Sequence, residues 1–422
     1  MRGFWAIFRL EALALARSKT LAMLFTASAA WTVAAKYLIT GDGTAEGFRA
    51  LYLRYSLGIV FSAVLVCLAA AAAGSISRDR RMKILQLTLV RPVRHFSVAL
   101  GRIAAMTLSG AAVLAVCAAI AFCIAGRGVQ CMHKYKPALE DPVKAAEKLY
   151  SQYMADYPDF RERASKLPKR DIMRYLIQHV MNEYETVPPG ETHEWRFPGA
   201  GDGASAVRIR LTEMFGRFDA PSGVFAYRGR KGSLGVLTGG VATVPLDEAA
   251  PGSGTENGPS ELSFENTGRT GLSLHPRTDL LLLSPAGSQA WNFVRAVIVM
   301  ACVLAAFVSL GMLLGACLSR SVAVFCVLSL LFVMAVSPSV TESYPDPLEG
   351  SKVDRMSLAL TDFAASMSAP LNAFDPVSRL EETFCVEWSD VGKAAALNML
   401  LLPFAFSFLA GFVMSRKSTV SL

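Results

Sequence analysis

The chain is short of charge. Asp, Glu, Lys and Arg make up 18% of its 422 residues and hydrophobic residues 53%, a balance too apolar for an ordinary soluble protein, in which about a quarter of residues are charged. Histidine is scarce as well. The five present, His95, His133, His179, His193 and His275, are scattered, and each reads as a surface or packed side chain rather than a metal ligand. His193-Glu194 lacks the second histidine of a zinc-protease helix. No G-x-S-x-G nucleophile elbow occurs. The only Gly-Lys pair, Gly392-Lys393, is followed by Ala394, with Glu387 where a P-loop has its first glycine. By motif, these absences exclude metalloprotease, α/β-hydrolase and P-loop ATPase chemistry. The chain is expected to be no enzyme and to hold no catalytic residue, cofactor or metal of its own.

Long apolar runs stand in place of those motifs. Residues 21–38, 51–73, 103–126, 290–318, 321–336 and 393–414 each approach the ~20 residues needed to cross hydrocarbon, and Pro338 is expected to close the fifth. The formal charge of +8 gathers at the ends of these runs, so topology explains it better than a nucleic-acid footprint does. Residues 1–20 mix Phe4, Trp5, Ile7, Phe8 and Leu10 with Arg2, Arg9, Arg17 and Lys19, which predicts an amphipathic helix lying in the interface. That lead-in is long for a signal-peptide n-region, so the first run is read as a retained span. The expected fold is α-helical and membrane-embedded, with six transmembrane helices and both termini on the cytoplasmic side of the cytoplasmic membrane.

The chain is organised around residues 74–102, a short loop between the second and third runs. It carries Arg78, Arg80, Arg81, Lys83, Arg91, Arg94 and Arg102, and basic loops between spans belong in the cytoplasm. Within it, Ile84, Leu85, Leu87 and Leu89 make one apolar patch, and Pro92 ends any helix begun near Asp79. A short amphipathic helix over 79–90 suits docking into a groove of a cytoplasmic partner; a plain solvated basic loop is the alternative. The residue order goes further. Ser77-Arg78-Asp79, Ile84-Leu85-Gln86-Leu87-Thr88-Leu89-Val90-Arg91-Pro92-Val93-Arg94 and Leu100-Gly101-Arg102 together resemble the first cytoplasmic loop of ABC-2 type permeases, the membrane subunits of ABC transporters. Arg9-Leu10-Glu11 and Arg17-Ser18-Lys19 are similar to that family's N-terminal helix. The sequence departs from the family's pattern at Arg81 and Lys83, where an acidic residue and a glycine are common. The resemblance implies a type V exporter-like arrangement of the six helices. It also implies that Asp79, Arg80, Arg81, Ile84, Leu85, Leu87, Leu89, Arg91 and Pro92 couple to a separate cytoplasmic ABC ATPase, which holds the ATP and Mg, and that a second permease subunit completes the transporter.

Between the third and fourth runs, residues 127–289 become rich in charge, proline and glycine. Three crossings from a cytoplasmic N-terminus place this insert outside the cytoplasm, between a membrane half at 1–126 and another at 290–422. An α+β domain is expected: helices over 141–186, started by Asp141-Pro142 and stopped by Val187-Pro188-Pro189-Gly190, then a β-rich part over 190–285. Short alternating runs at 194–197, 207–211, 225–227, 235–244, 262–264 and 279–283 suggest a β-sandwich, with 247–260 as a loop. Residues 341–390 form a further outer segment, whose short apolar stretch at 357–369 has the length of a re-entrant helix; the permease resemblance supports that reading. Cys67, Cys117, Cys123, Cys302, Cys317 and Cys326 fall in or beside spans as small hydrophobes. Cys131 and Cys385 lie outside, near the membrane, in a compartment that permits disulfides; they are a candidate pair, two unrelated thiols being the alternative. Cys131-Met132-His133 has the donors for a soft metal, but the pattern does not recur. Gly311 and Gly315 make a G-x-x-x-G helix-packing signature, and Arg295 reads as an interface anchor. Two functional classes remain open, the ABC permease and a non-transporting receptor or anchor that displays the outer β-domain.

Overall fold

The structure, a computed structural model, describes residues 2–41, 45–81, 95–165, 168–201, 203–210, 222–234, 241–247, 260–342 and 375–419. Five of its helices are long and apolar enough to cross a bilayer: Lys19–Leu38, Ala45–Arg78, His95–Gly126, Gln289–Cys317 and Trp388–Arg416. The protein is therefore a multi-pass helical membrane protein that also carries a separate antiparallel β domain. Two compact units divide the chain. The membrane unit takes Met1–Cys131, Ser288–Glu342 and the described C-terminal residues, and the second unit is built from Met132–Gly287.

The membrane unit begins with α1 (Arg2–Ala16) and α2 (Lys19–Leu38). They are two helices rather than one amphipathic run over 1–20, because the Ser18 side chain caps α2, accepting from the Leu21 amide at 3.1 Å. Next come α3 (Ala45–Arg81) and α4 (His95–Ala121), the latter running into a π-helical turn at Phe122–Gly126. The helix expected to begin near Asp79 does not begin there. α3 continues unbroken through Asp79, Arg80 and Arg81, since nothing in Ser75-Ile76-Ser77-Arg78 stops a helix; the remainder of the 79–90 expectation lies outside the described residues.

After the inserted unit come α8 (Gln289–Cys317) and α9 (Arg320–Glu342). α8 is apolar all round and packs against α3, α4 and the last helix, so it is the central element of this unit. The expected fifth span falls on α9, whose strongly apolar part, Arg320–Val333, is shorter than the five spanning helices. α9 runs past Pro338 instead of ending there: a proline inside a helix removes one hydrogen bond and can kink the helix without stopping it. The expected re-entrant stretch at 357–369 lies outside the described residues. The chain resumes with α10 (Pro376–Glu381), α11 (Trp388–Ala394), a π-helical run at Ala395–Leu401, and α12 (Leu402–Thr419).

In the inserted unit, Asp141 caps α5 (Pro142–Asp156), accepting from the Val143 amide at 2.9 Å. A helix the sequence did not suggest, α6 (Pro158–Ser165), follows, and then α7 (Lys169–Met181). α7 ends well before the Pro188-Pro189 pair, because Glu185–Val187 is taken by a strand, β2. Ala146, Ala164, Ile172, Leu176 and Val180 form a small core of these helices, lined by Tyr150, Tyr153 and Phe160.

Among the described residues ten strands complete the unit: β1 (Gln130–Tyr135), β2, β3 (Thr192–Arg196), β4 (Ala206–Arg210), β5 (Gly223–Tyr227), β6 (Arg230–Leu234), β7 (Val241–Pro245), β8 (Glu261–Asn266), β9 (Leu272–Leu274) and β10 (Leu280–Ser288). The run expected over 235–244 is β7 only; residues 235–240 and most of the 247–260 loop lie outside the described residues. Two four-stranded sheets, β1-β10-β4-β7 and β3-β8-β5-β6, and a two-stranded β2-β9 ribbon result. Alternation sets the registers: Leu282 faces Val207 across β10–β4, and Phe225 faces Phe264 across β5–β8. Val207, Ile209, Leu280 and Leu282 from one sheet share a core with Trp195, Phe225, Leu262 and Phe264 from the other, which makes the pair a β-sandwich. The β5–β6 hairpin turns on Arg228 and Gly229, both at positive φ (48° and 78°), the arrangement of a two-residue type I′ turn.

Candidate functional site

Of the residues assigned to ATPase coupling, Asp79, Arg80 and Arg81 close α3, whereas Ile84, Leu85, Leu87, Leu89, Arg91 and Pro92 lie outside the described residues. The structure does show what holds the two roots of that loop. Near the end of α3, the Ser77 hydroxyl donates to the Gly315 carbonyl at 2.9 Å, tying α3 to the last turn of α8. One turn earlier, a Cβ added at Gly74 would sit 3.2 Å from Nε of Arg320, in the tight α8–α9 connection. At the start of α4, Gly101 lets α1 approach closely: an added Cβ would meet the Ile7 side chain and the Phe4 carbonyl, each at 3.2 Å. Beside it, Arg102 is 8% exposed and lies 3.7 Å from the Glu11 carboxylate of α1. A buried arginine needs such a counter-charge, since desolvating it alone costs several kcal/mol. Gly411 of α12 seats against the Phe96 backbone, and Phe96 and Phe404 pack ring to ring. Thus α1, α4, α8 and α12 brace the frame from which residues 82–94 depart.

Gly311 and Gly315 carry the seam between α8 and α3. An added Cβ at Gly311 would lie 2.5 Å from the Ala69 carbonyl oxygen, and one at Gly315 closer still to that of Ala73. Small residues facing small residues let the two backbones touch, the geometry that G-x-x-x-G pairs supply between membrane helices. Thr107, Ser309 and Ser75 are also buried among these helices.

At the opposite end of the bundle, the structure brings Cys131 and Cys385 together in a disulfide with Cα atoms 5.3 Å apart, inside the range a bridge requires. Polar groups that the sequence reading missed surround Cys385. Asn292 of α8 is fully buried; its Nδ2 donates to the Phe384 carbonyl at 2.9 Å, and its Oδ1 accepts from the Val386 amide at 2.8 Å. Arg295 is more than an interface anchor, for it donates to the Val386 carbonyl at 3.1 Å and stacks over the Trp388 ring at 4.9 Å. Arg379 of α10 pairs with Asp390 of α11, and Asp375 caps α10. A polar residue inside an apolar run was the available signal for Asn292, but its partners are backbone groups more than ninety positions away.

No known protein family, curated protein or solved structure matches the chain. Among the described residues, no group of three or more His, Cys, Asp or Glu side chains is arranged to hold a metal ion. What the membrane unit offers chemically is mechanical: a braced loop root at one end and a cross-linked, hydrogen-bonded cap at the other.

The cap gives a direct expectation. Peptide maps of protein purified without reductant should contain one peptide joining Cys131 to Cys385, and reduction should abolish it. Cys385→Ser should lower thermal stability by about 2–5 kcal/mol. Free thiols at both positions in unreduced protein would refute the bridge.

Proposed function

We propose that the chain is the permease subunit of an ABC transporter, working as a dimer with a second permease subunit and driven by a separate cytoplasmic ATPase. On this reading α9 is a sixth span, the loop of residues 82–94 and both termini are cytoplasmic, and the β-sandwich unit lies outside the cytoplasm. The observation that supports it is the loop itself. Its sequence resembles the ABC-2 coupling segment, and its two roots, α3 and α4, are braced by α1, α8 and α12. ATP-driven closure of the ATPases would push on this loop. With its roots held, the push would pass into α3 and α4 and through the close α3–α8 seam into the centre of the bundle, rather than being lost in a flexible tether.

The test uses Leu85→Asp and Leu87→Asp. Leucines in so short a loop have no core of their own to enter, and burying one against a partner is worth roughly 1.5–3 kcal/mol, about one to two orders of magnitude in affinity. Both variants should insert and fold like the wild type but lose co-purifying ATPase and its permease-stimulated hydrolysis. Full ATPase binding and turnover in both would remove the loop from the coupling role. A second reading, a receptor or anchor that displays the β-sandwich, draws on the independent cores of the inserted unit. A neighbouring gene for a Walker A ATPase favours the permease; its consistent absence favours the anchor.

A further inference from the structure

We propose that Asn398 marks an internal hydrated site in the membrane unit, one that takes water and other small neutral hydrogen-bonding groups. The last span turns a buried stripe towards the rest of the bundle. Val391, Ala394, Asn398, Pro403, Ser407, Ala410 and Met414 are all buried. They succeed one another in steps of three or four residues, as an α-helical face requires, except for a single step of five between Asn398 and Pro403. That step falls where the helix is π-helical, over Ala395–Leu401. The wide turn takes up one extra residue, so the chain on both sides of it keeps its buried face on the bundle. Pro403, which has no N–H to donate, sits just beyond, where a locally altered hydrogen-bond ladder accommodates it.

The π-helical run thus aims an amide inward, and the amide has nothing to bind. Asn398 is 0% exposed, and neither its Oδ1 nor its Nδ2 has a hydrogen-bond partner among the described residues. Among the described residues three buried hydroxyls share this condition: Ser407 on the same stripe, Thr107 on α4, the helix against which α12 packs, and Ser56 on α3. A lipid-facing asparagine would be exposed, and a structural one would be satisfied by backbone, as Asn292 is. An amide left without partners in hydrocarbon is strongly unfavourable; an ordered water resolves this, since it donates and accepts at once. The stripe carries no ionisable side chain, so the site suits neutral groups rather than ions. The inference needs the membrane placement of the bundle but not ATPase coupling, so its test has no ATPase readout.

The test is thiol accessibility in the full chain, with the six free cysteines changed to alanine and the Cys131–Cys385 bridge kept. The thiolate attacks the reagent's sulfenyl sulfur, forming a mixed disulfide and releasing methanesulfinate, and that thiolate forms only where water reaches the sulfur. Asn398→Cys should react with the neutral reagent methyl methanethiosulfonate about tenfold faster or more than Ala410→Cys, a dry position on the same stripe, and the anionic sulfonatoethyl reagent should lag well behind. Equal rates at the two positions would overturn the hydrated site, and equal rates for the two reagents at 398 would overturn its preference for neutral groups. If the cysteine variant is not recovered folded, Asn398→Leu decides. A dry, unpartnered amide replaced by leucine leaves the melting midpoint unchanged or raised, which would overturn the proposal; a hydrated one, robbed of its water, lowers it.

Discussion

Gly315→Val should remove most of the folded protein recovered from membranes, and whatever remains should melt on the order of 10 °C lower than wild type. The expectation follows from what occupies the space. A Cβ at Gly315 runs into the backbone of Ala73, not into the flexible end of a side chain. Relieving the overlap means moving α3 off α8 along a seam that Gly311 and Ala69 share, and overpacking of this kind costs about 3 kcal/mol or more. Gly315→Ala meets the same backbone with a smaller group and should be the milder variant. Gly392→Ala is the control, because nothing lies within 4 Å of the added methyl. Size-exclusion profiles and melting curves of the three variants in one detergent make the comparison. A Gly315→Val protein that behaves like Gly392→Ala would mean that α3 and α8 do not meet at these residues.

The second large effect belongs to Asn292. Its side chain bridges the backbone on both sides of Cys385, giving one hydrogen bond to Phe384 and receiving one from Val386. Leucine has the same branched heavy-atom skeleton, though it is bulkier, and offers neither bond, so Asn292→Leu strands a buried carbonyl and a buried amide, each worth about 1–3 kcal/mol. Asn292→Asp retains the acceptor for Val386 but sets a carboxylate against the Phe384 carbonyl. We expect Leu to cost a few kcal/mol and Asp a similar amount, since a carboxylate there is taken out of water and faces a carbonyl oxygen. The fraction of chains carrying the Cys131–Cys385 link should fall in both, because the backbone that presents Cys385 is no longer held. Wild-type stability and full linkage in Asn292→Leu would show that the cap is maintained by the disulfide and the Arg379–Asp390 pair alone.

Hydropathy made the spanning helices legible, since a run of apolar side chains has few other uses in a chain this poor in charge. Alternation did the same for most strands of the sandwich, and Asp141-Pro142 announced α5 through local chemistry alone. What escaped the reading depends on distant partners or on weak stop signals. β2 and β9 are three-residue strands defined only by each other. α3 runs beyond its apolar stretch because a helix, once started, continues through neutral-to-good helix formers such as Ser77-Arg78 until something breaks it. Pro338 does not end α9, since a proline inside a helix removes one hydrogen bond and can kink the helix without stopping it. Gly311 and Gly315 were visible as a motif, but that they face Ala69 and Ala73 was not. Asn292 and Asn398 look alike in sequence, one amide in each of two apolar runs. Only the fold separates them, into one whose bonds are made and one whose bonds are open.

The Cys131–Cys385 bridge also makes the chain a closed ring. Its two ends are 254 residues apart, and everything from Met132 to Gly287 lies within that ring. The helices before the insert and the last helix are therefore joined twice, once through the main chain and once through sulfur. A protease that severs the β-sandwich unit opens the ring without parting the two halves of the membrane bundle. The bundle can lose the continuity of its largest aqueous segment and stay one covalent molecule for as long as its surroundings remain oxidising.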